Sequence, residues 1–96
     1  MANVEVRYTS HLRAKMVIRG VPEELPEMVF RGAERRFRDE ATGHFVALKK
    51  TSYAGKRRLI MVVYDVKDGV VEIVTVHPIS SRQVESRIKS LRWVHV

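Results

Sequence analysis

The sequence predicts an α+β domain: two N-terminal helices packed on an antiparallel sheet of four to five strands, with a C-terminal helix, in the order β-α-α-β-β-β-β-α. Three observations lead there. The stretch from Arg57 to Pro78, RRLIMVVYDVKDGVVEIVTVHP, is two apolar runs hinged on Asp68-Gly69, a strong signal for a hairpin with a two-residue turn. Two short segments of helical spacing precede it, each closed by a glycine (Gly20, Gly32). A helix start follows it at Ser80, with Gln83 three residues on, the pattern of a capping box.

Taken in order, Asn3 to Tyr8 alternates Val4, Val6 and Tyr8 with polar residues and reads as a short strand. Thr9 and Ser10 are N-cap residues, so a helix is expected from His11 to Arg19 with Leu12 and Met16 inward and Gly20 as its stop. A second helix is expected from Val21-Pro22 to Arg31, with Leu25, Met28 and Val29 as its stripe. Pro26 argues for a start near Glu24 or an irregular first turn, because an interior proline removes a hydrogen bond. Ala33 to Glu40, charged around Phe37, reads as an edge strand, where charge discourages further pairing. His44 to Tyr53 is the next strand, returned by Ala54-Gly55. In the last helix Ile79 and Val84 form a hydrophobic staple, Val84, Ile88 and Leu91 recur at helical spacing, and Trp93 anchors the tail.

A two-residue turn at Asp68-Gly69 sets Lys67 opposite Val70, Tyr64 opposite Ile73, Val62 opposite Thr75 and Ile60 opposite His77. The turn at Ala54-Gly55 sets Phe45 opposite Tyr64, Ala47 opposite Val62 and Lys49 opposite Ile60, and brings His44 to Asp65. One face of the sheet then carries Phe45, Ala47, Lys49, Ile60, Val62, Tyr64, Ile73, Thr75 and His77. The other carries Val46, Leu48, Met61, Val63, Val74 and Val76. The second face is nearly pure hydrocarbon and is the expected seat of the two early helices. The first is expected to be open, covered by the C-terminal helix, or paired in a homodimer, its apolar part being too large to leave wet.

Ninety-six residues make one domain with a modest core. There is no cysteine, so no disulfide framework and no thiolate metal site. The N-terminus shows no apolar signal region and no run approaches membrane-spanning length; a cytoplasmic protein without membrane contact is the expectation. The net charge is +7 and clustered: residues 49–58 carry +5 without an acid, and residues 80–96 carry +3. Such clustering points to a polyanion, RNA first. Lys15, Lys50, Lys56, Arg57, Arg58, Arg87 and Arg92 are the candidate RNA-binding residues.

The expected row of Lys49, Ile60 and His77, with Thr75 and Arg58 beside it, could cleave a phosphodiester. Histidine moves protons near neutral pH, and cations stabilise charge developing on phosphate. His11 sits in the first turn of a helix and is the other candidate histidine. No P-loop, GxGxxG, GxSxG, HxxxH or HExxH occurs, so no nucleotide, metal or other cofactor is called for.

His11-x-x-x-Lys15-Met16-x-x-Arg19-Gly20-Val21, then Pro-Glu-Glu, then Gly43 with an aromatic two residues on, Val62-Val63-Tyr64 and Thr75-x-His77-Pro78 form a set spread over nearly the whole chain. It resembles an uncharacterised family of small prokaryotic proteins related to RelE- and BrnT-like toxins, in the barnase–EndoU–colicin–RelE group of ribonuclease folds. Lys15 stands where that family usually has Arg, which keeps the charge but not the bidentate geometry. The resemblance implies a toxin-like domain over residues 1–96 whose open sheet face binds RNA. It directs attention to His11, Arg19, Tyr64, Thr75 and His77, and implies an acidic antitoxin as partner. The reading that results is a metal-independent endoribonuclease of a toxin–antitoxin system, with His77, His11, Arg19, Lys49 and Tyr64 as catalytic candidates. The alternatives are a non-catalytic module binding nucleic acid or protein, and a structural homodimer.

Overall fold

The computed structural model describes residues 4–96; Asn3, where the first strand was expected to begin, lies outside them. The elements are β1 (Glu5–Tyr8), α1 (Ser10–Arg19), α2 (Leu25–Arg31), β2 (Arg35–Asp39), β3 (Phe45–Tyr53), β4 (Lys56–Lys67), β5 (Val70–Pro78), α3 (Ser81–Lys89) and β6 (Trp93–His95). The chain is α+β, with one sheet in the order β1-β5-β4-β3-β2-β6. Two features correct the expected sheet. It has six strands, because the tail from Trp93 adds β6 to β2; three residues are too few to show a strand period. It is mixed, because β1 runs parallel to β5, with Tyr8 paired to Ile73. β2 is therefore interior, and Phe37 is fully enclosed.

The helix ends follow from local chemistry. The Thr9 side chain accepts the Leu12 amide at 3.1 Å, and Gly20 closes α1 in the left-handed region, φ +69°, which glycine enters without a Cβ penalty. α2 begins at Leu25, not at Val21-Pro22: Pro22 sits in a turn whose carbonyl accepts the Leu25 amide. Pro26 then lies in the first turn of the helix, where its missing N–H costs nothing. The buried side of α2 is Leu25, Pro26, Val29 and Phe30, whereas Met28 points outward. α3 carries the complete capping box of Ser80 and Gln83, and Ile79 and Val84 are both buried. Leu91 lies beyond the helix, 74% exposed, and is not part of its stripe.

The register of β3 on β4 is as the alternation predicts, from Phe45 opposite Tyr64 to Tyr53 opposite Lys56. The hairpin of β4 and β5 follows its predicted register from Lys67–Val70 to Tyr64–Ile73 and then breaks. Val63 pairs with Thr75, Met61 with His77 and Ile60 with Pro78. Val74 is thus an extra residue, a β-bulge. Thr75 does not face Val62, and His77 does not join Lys49 and Ile60 in a row. Even spacing of apolar residues through this stretch hides the inserted one.

The helices sit on the faces opposite to those expected. The face of Ala47, Ile60, Val62, Tyr64 and Ile73 packs under Leu12 and Met16 of α1 and Leu25, Val29 and Phe30 of α2. The face of Val46, Leu48 and Met61 packs with Phe37, Ile79, Val84 and Trp93. Both faces are apolar, so hydrophobicity alone does not choose between them. The choice lies in the connections. Ile79, one residue past β5, donates its amide to the Leu59 carbonyl at 3.0 Å and commits α3 to the second face. Phe30 meets the Tyr64 ring edge-on at 4.8 Å and holds α2 to the first. Because α1 and α2 cover the first face, it is not the wet apolar surface from which a homodimer was expected.

Candidate functional site

α1 presents three polar residues on one flank. His11, Lys15 and Arg19 are spaced by four, so they stack along the helix beside the buried Leu12 and Met16. Opposite them runs β5 at its bulge. Bulges re-aim side chains and open pairing locally, and here Val74, Thr75 and Val76 form the facing wall. The result is a cleft of about 180 Å³ lined by His11, Lys15, Arg19 and Thr75 over an apolar floor of Leu12, Met16, Val21, Val74 and Val76. A smaller hollow of about 40 Å³ adjoins it, lined by Arg19, Val21, Leu25, Tyr53, Ile60, Val76, His77 and Pro78. Arg19, Val21 and Val76 belong to both. His11 lines the first hollow and His77 the second, Arg19 lines both, and the register sets His77 opposite Met61.

His77 is half-buried. Its Nδ1 lies 2.9 Å from the Pro78 carbonyl. A carbonyl only accepts, so Nδ1 carries the proton and Nε2 is the free nitrogen. Neutral, it accepts a proton; charged, it gives one. Lys15 and Arg19 are exposed, and no ion pair engages either among the described residues.

Other predicted site residues do not join this group. Tyr64 is 4% exposed, enclosed by Phe30 and stacked on Phe45 at 5.6 Å. Its hydroxyl accepts from Arg36 Nη1 at 3.3 Å, so it is a core residue and no substrate reaches it. Lys49 is half-buried on the covered face, its aliphatic stem packed close over Gly32 at the end of α2, and it lines neither hollow. Arg58 donates to the Tyr53 carbonyl at 3.0 Å and holds the β3–β4 hairpin together.

The two C-terminal arginines lie on the far face. Arg87 stacks over Trp93 at 5.1 Å. Arg92 grips Asp39 through its Nε at 3.0 and 3.1 Å and its guanidinium Nη2 at 3.0 Å. Asp39, 5% exposed, also accepts from Trp93 Nε1 at 3.2 Å and the Ala41 amide at 2.9 Å. Burial pushes the Asp39 carboxyl up, but the Arg92 hydrogen bonds, then those of Ala41 and Trp93, outweigh it and hold the carboxyl below its ordinary value. His44 is likewise paired as expected, with Asp65 at 2.6 Å. Lys50, Lys56 and Arg57 are exposed on the β3–β4 hairpin.

Tyr53 is the residue of the site that the sequence reading missed. A signal was present: it lies two residues beyond Thr51 and four beyond Lys49, on the same face by strand alternation, and opposite Lys56. No helix of the described residues is long and apolar enough to cross a membrane. No family model, curated protein or solved structure matches the chain.

Proposed function

We propose that this protein is a small RNA-binding, toxin-like endoribonuclease that works without a metal ion. One observation carries the reading: Arg19 lines both hollows, with His11 and Lys15 on one side of it and His77 and Tyr53 on the other. Two groups that can exchange protons and two cations along two adjoining hollows are the parts that phosphodiester transfer needs. In this reading one imidazole takes the proton from a ribose 2′-hydroxyl as its oxygen attacks the adjacent phosphorus. Arg19 and Lys15 stabilise the charge that gathers on the phosphoryl oxygens. The other imidazole protonates the departing 5′-oxygen. The products are a 2′,3′-cyclic phosphate and a 5′-hydroxyl. Lys56 and Arg57 hold the flanking backbone. An acidic antitoxin is the partner this charge distribution suits.

The test is cleavage of mixed RNA in EDTA by the wild type, His77→Ala, His11→Ala and Arg19→Ala. Cleavage persists in the wild type and falls about 100-fold or more in each variant, the scale of a lost general acid or base for the histidines and of a lost charge-stabilising donor for Arg19, while circular dichroism stays native. No cleavage by the wild type, with RNA bound in low salt and released in high salt, replaces this reading with a non-catalytic RNA-binding module.

A further inference from the structure

α1 leaves an apolar surface uncovered. Leu12 and Met16 point into the core, and Ala14, Val17 and Ile18 point away from it. Val17 is 83% and Ile18 82% exposed. Two adjacent large aliphatic side chains left in water are costly, since each forgoes the gain of burial. Beside them lies a hollow of about 270 Å³ walled by Tyr8, Met16, Val17 and Val21, with the Arg13–Glu23 ion pair at its side. A ridge of two aliphatic side chains beside a largely apolar hollow suits the apolar stripe of a second helix.

Charge decides what kind of helix. α1 contains Arg13, Lys15 and Arg19 and no acid. Arg13 is engaged by Glu23 at 3.2 Å; Lys15 and Arg19 are not engaged. A second copy of this chain would bring another net +7 to a surface already basic. We infer that the exposed face of α1 docks an amphipathic helix of a different protein, one whose apolar stripe covers Val17 and Ile18 and whose flank carries carboxylates against Lys15 and Arg19. Since those two cations also line the cleft, such a partner closes it. That consequence, but not the docking, rests on the ribonuclease reading.

The probe is a fluorescein-labelled helical peptide of about 20 residues with leucines at heptad a and d positions and glutamates on both flanks. Its control has lysines in place of the glutamates. Fluorescence anisotropy measures both against the wild type, Val17→Ser/Ile18→Ser and Lys15→Glu/Arg19→Glu, with native circular dichroism required of each variant. The acidic peptide binds the wild type, and each double variant weakens it about tenfold or more, a loss of about 1.4 kcal/mol. The basic peptide does not bind. Equal binding of the two peptides, binding unchanged in Val17→Ser/Ile18→Ser, or no binding of the acidic peptide overturns the inference. A dimer in sedimentation that Val17→Ser/Ile18→Ser dissolves also overturns it, since a second copy is then the occupant. Cleavage in EDTA is scored separately, so a failed ribonuclease reading leaves the docking result standing.

Discussion

The two faces of the sheet use their cations differently. On the face of α3 and β6, Arg92 is committed to a buried carboxylate and Arg87 to the face of Trp93. On the face of α1, Lys15 and Arg19 stand beside a cleft with no carboxylate against them. In the sequence all four are basic residues on or near a helix. What separates them is whether a partner is already built into the fold. A cation whose hydrogen bonds are spent on a buried acid holds the molecule together, and only an uncommitted one is available to a ligand.

Four predictions put that contrast to the test. The largest effect belongs to Asp39→Ala. It strands the Trp93 N–H and the Arg92 charge, and should cost about 3 kcal/mol, read as a lower urea midpoint. A loss no greater than that of Arg19→Ala would erase the distinction between the faces. Next is acid sensitivity. The Asp39 carboxyl is held below its ordinary value in the folded chain, so around and below pH 4 the unfolded chain binds the proton more readily. This contribution is complete above about pH 4 and is lost as pH falls through the folded value. Asp39→Asn should flatten that limb of a stability–pH curve, whereas a limb of unchanged steepness assigns the acid sensitivity elsewhere.

Tyr64→Phe removes only the long hydrogen bond from Arg36 and should cost about 1 kcal/mol or less, with RNA affinity unchanged by filter binding. A drop in affinity would return Tyr64 to the site. The smallest effect on stability is that of Arg19→Ala, within about 0.5 kcal/mol of the wild type, although it reduces the salt dependence of RNA binding by about one phosphate contact. An unfolded Arg19→Ala protein would mean that this arginine, too, belongs to the scaffold.

The sequence made legible what is local. Thr9, Gly20 and the Ser80–Gln83 box marked helix ends because capping is short-range chemistry. The turn at Asp68-Gly69 adopts positive φ at both residues, +54° and +76°, and so does Ala54-Gly55, +53° and +80°, the pattern that fixes a two-residue hairpin register. What the sequence hid is non-local. The bulge at Val74 sits among valines that fit either register, and it moved Thr75 and His77 out of the row in which alternation had put them. The seating of the helices depended on two apolar faces of nearly equal character. β6 is recognisable only through its partner β2. His11, Arg19 and His77 were all identified as candidates, but that Arg19 lines the hollows of both histidines appeared only once α1 lay against β5.

The parallel pairing of β1 with β5 has a kinetic consequence. Tyr8 meets Ile73 across most of the chain, whereas both hairpins close over two-residue turns. Contacts that span long loops form slowly, because their entropy is lost before any interaction repays it. The hairpins can assemble first, and α1 is delivered to the sheet when β1 docks. One wall of the cleft comes from residues 11–19 and the other from residues 74–76, so a growing chain carries His11, Lys15 and Arg19 well before it has the strand that faces them.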